Sequence, residues 1–176
     1  MRPHIAERLR VLACAALFAS AAATSGNEDA TVAATLKPPA GEVLKLKLVG
    51  NGVQIYQCQQ GAWKFQAPDA KLSDETGHVV GKHYAGPTWE SADGSKIVGE
   101  VKAHEDSPDS RAIPWLLLGV KSASGNGVFG NIRSIQRLQT SGGQAPHRSC
   151  DASHANQSAR VPYSAHYYFY YFYTAP

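Results

Sequence analysis

Five residues of chemically capable types crowd into eleven positions: His83, Tyr84, Trp89, Glu90 and Asp93, inside the stretch KHYAGPTWESADGSK (82–96). Histidine titrates near neutrality, and a neighbouring carboxylate can orient it as a general base or share a metal with it. On that reading His83 is the base of a hydrolase or metal-assisted enzyme, with Glu90 or Asp93 as its partner. A second reading uses the rings. Tyr84 and Trp89, joined by Tyr163 near the C-terminus, can build a ligand-binding surface, because aromatic faces stack on sugars and phenols hydrogen-bond at the rim. A third reading is structural. Gly86-Pro87 and Asp93-Gly94 are turn chemistry, which leaves His83 capping a loop, Trp89 in the core and Glu90 solvated. On a simple strand His83 and Trp89 share one face, and Tyr84 and Glu90 the other. Gly86-Pro87 interrupts that register, so the pairing stays open at this point.

Other motifs carry less. Gly125-Asn126-Gly127-Val128-Phe129-Gly130 matches G-x-G-x-x-G. A dinucleotide site needs a strand before this loop, a helix after it and an acidic residue about twenty positions on. No Asp or Glu occurs between Asn131 and Cys150, so a Gly-rich hairpin loop accounts for the pattern and no cofactor is expected. His78, His83, His104, His147, His154 and His166 show none of the tight spacings that identify a zinc site, and no metal is assigned.

The elements that must position these residues read as strands. Leu44, Leu46 and Leu48 alternate with Lys45 and Lys47, the period of a half-buried strand. Asn51-Gly52 then predicts a tight hairpin, VQIYQCQ a second strand and WKFQAP a third, ended by Pro68. HVVGKHY and KIVGEVKA flank the opening stretch. AIPWLLLGVKSAS is the most apolar run, and RVPYSAHYYFYYFY is an aromatic terminal strand. GVFGNIRSIQRLQT is ambiguous: Ile132, Ile135 and Leu138 fall three apart, but its β-branched content favours a strand. Short runs separated by Gly, Pro, Asn and Asp predict an all-β, single-domain antiparallel sandwich or barrel of about eight strands.

The first 23 residues have the plan of a secretory signal peptide: Arg2, Arg8 and Arg10, an apolar run from Val11 to Ala23, and small residues before the cleavage point. That run is too short for a stable membrane anchor. Only three apolar residues separate Arg10 from Cys14, too few for lipidation at that cysteine. Residues 24–40 read as a flexible lead-in and residues 41–176 as one β domain, secreted or periplasmic. Cleavage lowers the formal net charge from +3 to about +1 and leaves no basic cluster, which argues against nucleic acid as a partner. A glycan or a small molecule is the expected partner; oligomeric state is left open. Cleavage also leaves two cysteines, Cys58 and Cys150, which in an oxidising compartment form one disulfide. The sequence thus supports two functions of different class: a non-catalytic ligand-binding or envelope-associated protein, favoured because no nucleophile elbow or other catalytic signature is present, and the His83 enzyme.

GVQIYQC, HYAGPTWESADGSK, AIPWLLL, IQRLQTSGG and Cys150 with RVPYSAHYYFY resemble the DUF3455 family of exported bacterial and fungal proteins, over roughly residues 38–172. The resemblance implies no activity, because the family is of unknown function and has no established catalytic residues. The malate dehydrogenase label on some fungal members finds no support in residues 125–130. The resemblance also implies that Cys58 and Cys150 belong to the family pattern.

Overall fold

The computed structural model describes residues 32–173. The signal peptide read over residues 1–23, with Cys14, lies outside them. Eight strands follow one another: β1 Glu42–Gln59, β2 Ala62–Ser73, β3 Val79–Tyr84, β4 Thr88–Ser91, β5 Lys96–Glu105, β6 Trp115–Ser124, β7 Ser134–Gly142 and β8 Ser158–Phe172. Each pairs antiparallel with its neighbours, and β8 returns to β1, so the sheet closes into an up-and-down barrel. Of the two architectures the sequence allowed, the barrel is the one adopted. Closure leaves β8 paired on both sides, and this is how so aromatic a terminal strand is accommodated. Tyr163, Tyr167 and Phe169 point into the barrel and are buried.

The sequence misplaces two strand boundaries. Asn51-Gly52 is not a hairpin; β1 runs straight through it. The glycines there serve close approach between strands. A Cβ on Gly52 would sit 2.1 Å from the Asp69 carbonyl oxygen, and one on Gly50 2.6 Å from the Tyr167 ring. The hairpin comes at Gln60-Gly61, both with positive φ (53° and 78°), as a tight two-residue turn requires. Pro68 does not end β2 either. It opposes Gln54 of β1, and β3 pairs only with Ala70–Ser73, so the missing N–H of Pro68 falls where β2 has no neighbour on its other side.

Alternation along the strands builds the core. Leu48, Leu72, Trp89, Ile97, Leu118, Ile135, Tyr167 and Phe169 meet inside the barrel. A second cluster forms on the outside of the wall, where Leu36, Trp115 and Leu138 pack together. Leu36 belongs to a single 3₁₀ turn, Ala34–Leu36, and is fully buried. The Leu36 carbonyl accepts from Gln136 Nε2 at 2.6 Å. Residues 34–36, within the stretch read as a lead-in, cover β5–β7, where Leu36 packs on the outer face of Trp115 and Leu138 beside Val32, Ala103, Leu117 and Tyr168. This second packed face also explains the three-residue spacing of Ile135 and Leu138. They lie on opposite sides of a strand that is buried on both.

Cys58, near the end of β1, and Cys150, in the β7–β8 connection, form the expected disulfide with Cα atoms 5.4 Å apart. A loop of that length stabilises a fold by about 4–5 kcal/mol on the chain-entropy account. It ties down a connection that has little apolar packing of its own.

Candidate functional site

The β3–β4 hairpin decides what the opening residues do. Its register opposes His83 to Trp89, Tyr84 to Thr88 and Lys82 to Glu90. His83 and Trp89 consequently share the inner face, at 2 % and 1 % exposure. Their rings stack with centroids 4.3 Å apart, and Tyr167 meets both edge-on. Tyr84 and Glu90 lie on the outer face. Tyr84 donates to Glu90 Oε2 at 2.5 Å and Lys82 Nζ lies 3.2 Å from Glu90 Oε1. The Tyr84 hydrogen bond, then Lys82, hold the Glu90 carboxyl below its usual range. Asp93 sits in the β4–β5 turn, at the opposite end of the barrel from the β3–β4 turn, and accepts from Ser95 N, Ser95 Oγ and Val128 N.

His83 is therefore brought together with neither Glu90 nor Asp93. Its Nδ1 lies 2.8 Å from the Thr88 carbonyl oxygen. A carbonyl can only accept, so Nδ1 carries the proton and Nε2 is the bare acceptor. Burial pulls the His83 pKa down to about 3, the Thr88 bond opposes this and the Arg137 cation adds to it. The ring is neutral at ordinary pH and is a weak base. Among the described residues no three His, Cys, Asp or Glu side chains assemble into a metal-binding group.

What the hairpin does border is a cavity of about 320 Å³. Residues from all eight strands line it: Gln54 of β1; Phe65, Gln66 and Pro68 of β2; His83; Trp89; Val101 of β5; Leu116 and Leu118 of β6; Arg137 of β7; and Tyr167 of β8. Gly86 and Pro87 of the β3–β4 turn complete it. The cavity is thus one end of the barrel interior. Its mouth has a structural cause. β2 pairs with β3 only from Ala70 onward, and β5 pairs with β4 only up to Val98. Above those points the long strands β2 and β5 face each other across a gap that the short β3–β4 hairpin does not fill. Phe65 and Val101, 52 % and 53 % exposed, stand on the two sides of that gap.

Comparison with protein families matches residues 39–171, all eight strands but for the last residue, to DUF3455, a protein family of unknown function. The chain belongs to the DUF3455 family. No curated protein and no solved structure matches it. Every side chain of the cavity lies within the segment shared with the DUF3455 pattern, so the cavity belongs to the domain proper.

Of the aromatic residues singled out for ligand binding, Trp89 lines the cavity and Tyr84 does not. Tyr163 is buried in the same core but does not line the cavity; its hydroxyl is 3.3 Å from that of Tyr167. Sequence reasoning missed Gln54 and Arg137. A polar signal for Arg137 does exist: in a period-two strand it shares a face with Ile135, and an arginine on a core face is conspicuous. Because β7 is buried on both sides, the sequence does not reveal which face that is.

Among the described residues Arg137 is the one charged side chain that lines the cavity. Its Nε and Nη2 donate to the Pro114 carbonyl at 3.2 and 2.8 Å. Among the described residues no carboxylate forms an ion pair with it. Burial lowers its pKa, and the hydroxyls of Tyr167, Tyr163 and Tyr56 partly offset that effect.

Proposed function

We propose that the protein is a binding module that holds one small, largely apolar molecule in the open end of its barrel and does not transform it. One observation carries the reading: a cavity of about 320 Å³, bordered by every strand and open through a gap between β2 and β5. Ligand sites are concave, mostly apolar and supplied with a few placed polar groups, and begin at roughly 300 Å³. Eight-stranded barrels of this size either fill with side chains or hold one small ligand. The apolar lining favours a compact apolar molecule over a glycan, which needs an extended polar surface. Binding outside the cytoplasm fits the Cys58–Cys150 bridge, since disulfides persist in oxidising compartments.

The enzyme reading loses its motive. His83 has no carboxylate partner, and Glu90 and Asp93 are occupied elsewhere.

The test is isothermal titration of the purified protein with a library of small apolar compounds, repeated on Val101→Trp. Val101 is at the rim, so an indole there obstructs the mouth with little cost to the core. Binding at micromolar concentration in the wild type and a loss of at least tenfold in Val101→Trp, with unchanged Tm, is the expected result. Undiminished affinity in Val101→Trp would place binding elsewhere on the molecule and end this reading.

A further inference from the structure

We infer that the barrel cavity selects a small carboxylic acid with an apolar body, whose carboxylate supplies the counter-charge that Arg137 lacks and an acceptor beside Gln54 and Trp89. The inference rests on the cavity being a ligand site and adds the charge of what enters it.

Among the described residues the cavity lining holds one cation and no carboxylate. A buried cation costs several kcal/mol unless it is paired, and arginine is almost never deeply buried alone. The Pro114 carbonyl satisfies two of the five guanidinium N–H groups and neutralises no charge. Gln54 is 2 % exposed, and its Nε2 has no hydrogen-bond partner. Trp89 is 1 % exposed, and its Nε1, which can only donate, has none either. Both side chains border the same cavity as Arg137. Buried donors are nearly always paired in folded proteins, and Trp115 Nε1, on the outside of the wall, is a third without a partner, so it is the uncompensated cation bordering the cavity that marks an acceptor from outside.

Among the described residues no anion borders the cavity. Neutral His83 carries no negative charge. Glu90 is outside the wall with Tyr84 and Lys82, Asp93 is at the other end, and Asp69 is paired with Arg160 at 2.5 Å. A carboxylate matches the guanidinium fork with two parallel hydrogen bonds. Inorganic phosphate or sulfate would leave Phe65, Pro87, Leu116 and Leu118 without contact and would bring a second negative charge that a single arginine does not balance. The apolar walls therefore call for a body as well as a head.

Isothermal titration with phenylacetate, 3-phenylpropionate, 4-phenylbutyrate, hexanoate and octanoate, each against its primary amide, tests this. In the wild type at least one acid should bind ten times or more tightly than its amide. In Arg137→Met that ratio should fall below about two while the amide still binds. Should Arg137→Met fail to fold, Gln54→Leu serves instead and should reduce the acid preference severalfold. Equal affinity for acids and amides in the wild type overturns the charge selectivity and leaves the cavity standing as a neutral site. An acid preference that persists in Arg137→Met, or in Gln54→Leu where that variant has to serve, overturns it too. Absence of binding by every acid and every amide overturns both.

Discussion

The two ends of the barrel are built on opposite terms. At the far end the β6–β7 connection folds into the interior and plugs it: Phe129 and Ile132 are fully buried, and the Phe129 ring lies 5.0 Å from that of Phe169. Polar groups there are satisfied. Asp93 accepts from Ser95 N at 2.8 Å, Ser95 Oγ at 2.6 Å and Val128 N at 2.7 Å, and Phe129 N donates to Ser95 Oγ. The Ser95 hydroxyl bond, followed by the Val128 amide, keeps the Asp93 carboxyl well below the usual range. At the near end the β5–β6 connection buries Ala112 and Ile113 beside β7, but the cavity stays unfilled. A covalent bridge holds the connection, the buried donors of Gln54, Trp89 and Trp115 have no partner, and a cation has no counter-charge. The sealed end adds stability. The open end forgoes it, and departures of that kind cluster where proteins bind and react.

Substitutions at the two ends sharpen this contrast. The largest effect is expected for Phe129→Ala, a loss of about 3–5 kcal/mol as a fully buried ring is removed. Phe65→Ala at the open rim, the same chemical change, should cost less than about 0.5 kcal/mol. Urea unfolding of the two variants compares them directly; equal losses would mean that the near end is packed as tightly as the far one.

Next in size is a pH effect at His83. Its folded pKa is near 3, against about 6.5 in an unfolded chain. Between those values the unfolded state binds more protons, so the stability His83 contributes is complete above about pH 6.5 and is lost progressively down to about pH 3. From pH 7 to pH 5 the wild type should lose about 2 kcal/mol through this residue. His83→Phe should lack that slope. A wild type and variant with parallel pH profiles would show that His83 is solvated and that the cavity is wider than described.

The smallest effect has the opposite sign. Gln54→Leu removes an unsatisfied donor from an apolar surround and should leave stability unchanged or raise it by up to about 1 kcal/mol. A clear loss in urea unfolding would mean that Gln54 Nε2 has a structural partner and that the near end is satisfied after all.

The strands were legible wherever one face is wet. Leu44 to Leu48 alternate with lysines, and HVVGKHY and KIVGEVKA fall on β3 and β5. Legibility failed where a residue answers to a neighbour far along the chain. Gly50 and Gly52 look like a turn but make room for Tyr167 and for the β2 backbone. Leu36 lies in a stretch of small, polar residues yet is buried against Trp115 and Leu138, whose positions the local sequence does not reveal. Within the candidate site, the inward pairing of His83 with Trp89 follows from strand alternation once the β3–β4 register is known, and the sequence had left that register open at Gly86-Pro87.

By itself, then, the order of residues determined the pleated class, the approximate strand number and the two cysteines that join, because those depend on alternation, turn chemistry and a count. Tertiary structure alone decided that the sheet closes, that Glu90 and Asp93 are kept from His83, and that Arg137 sits inside without a carboxylate. The physical reason is that a side chain's charge state and partners are set by which strands flank it around the ring. That arrangement is fixed only when β8 meets β1.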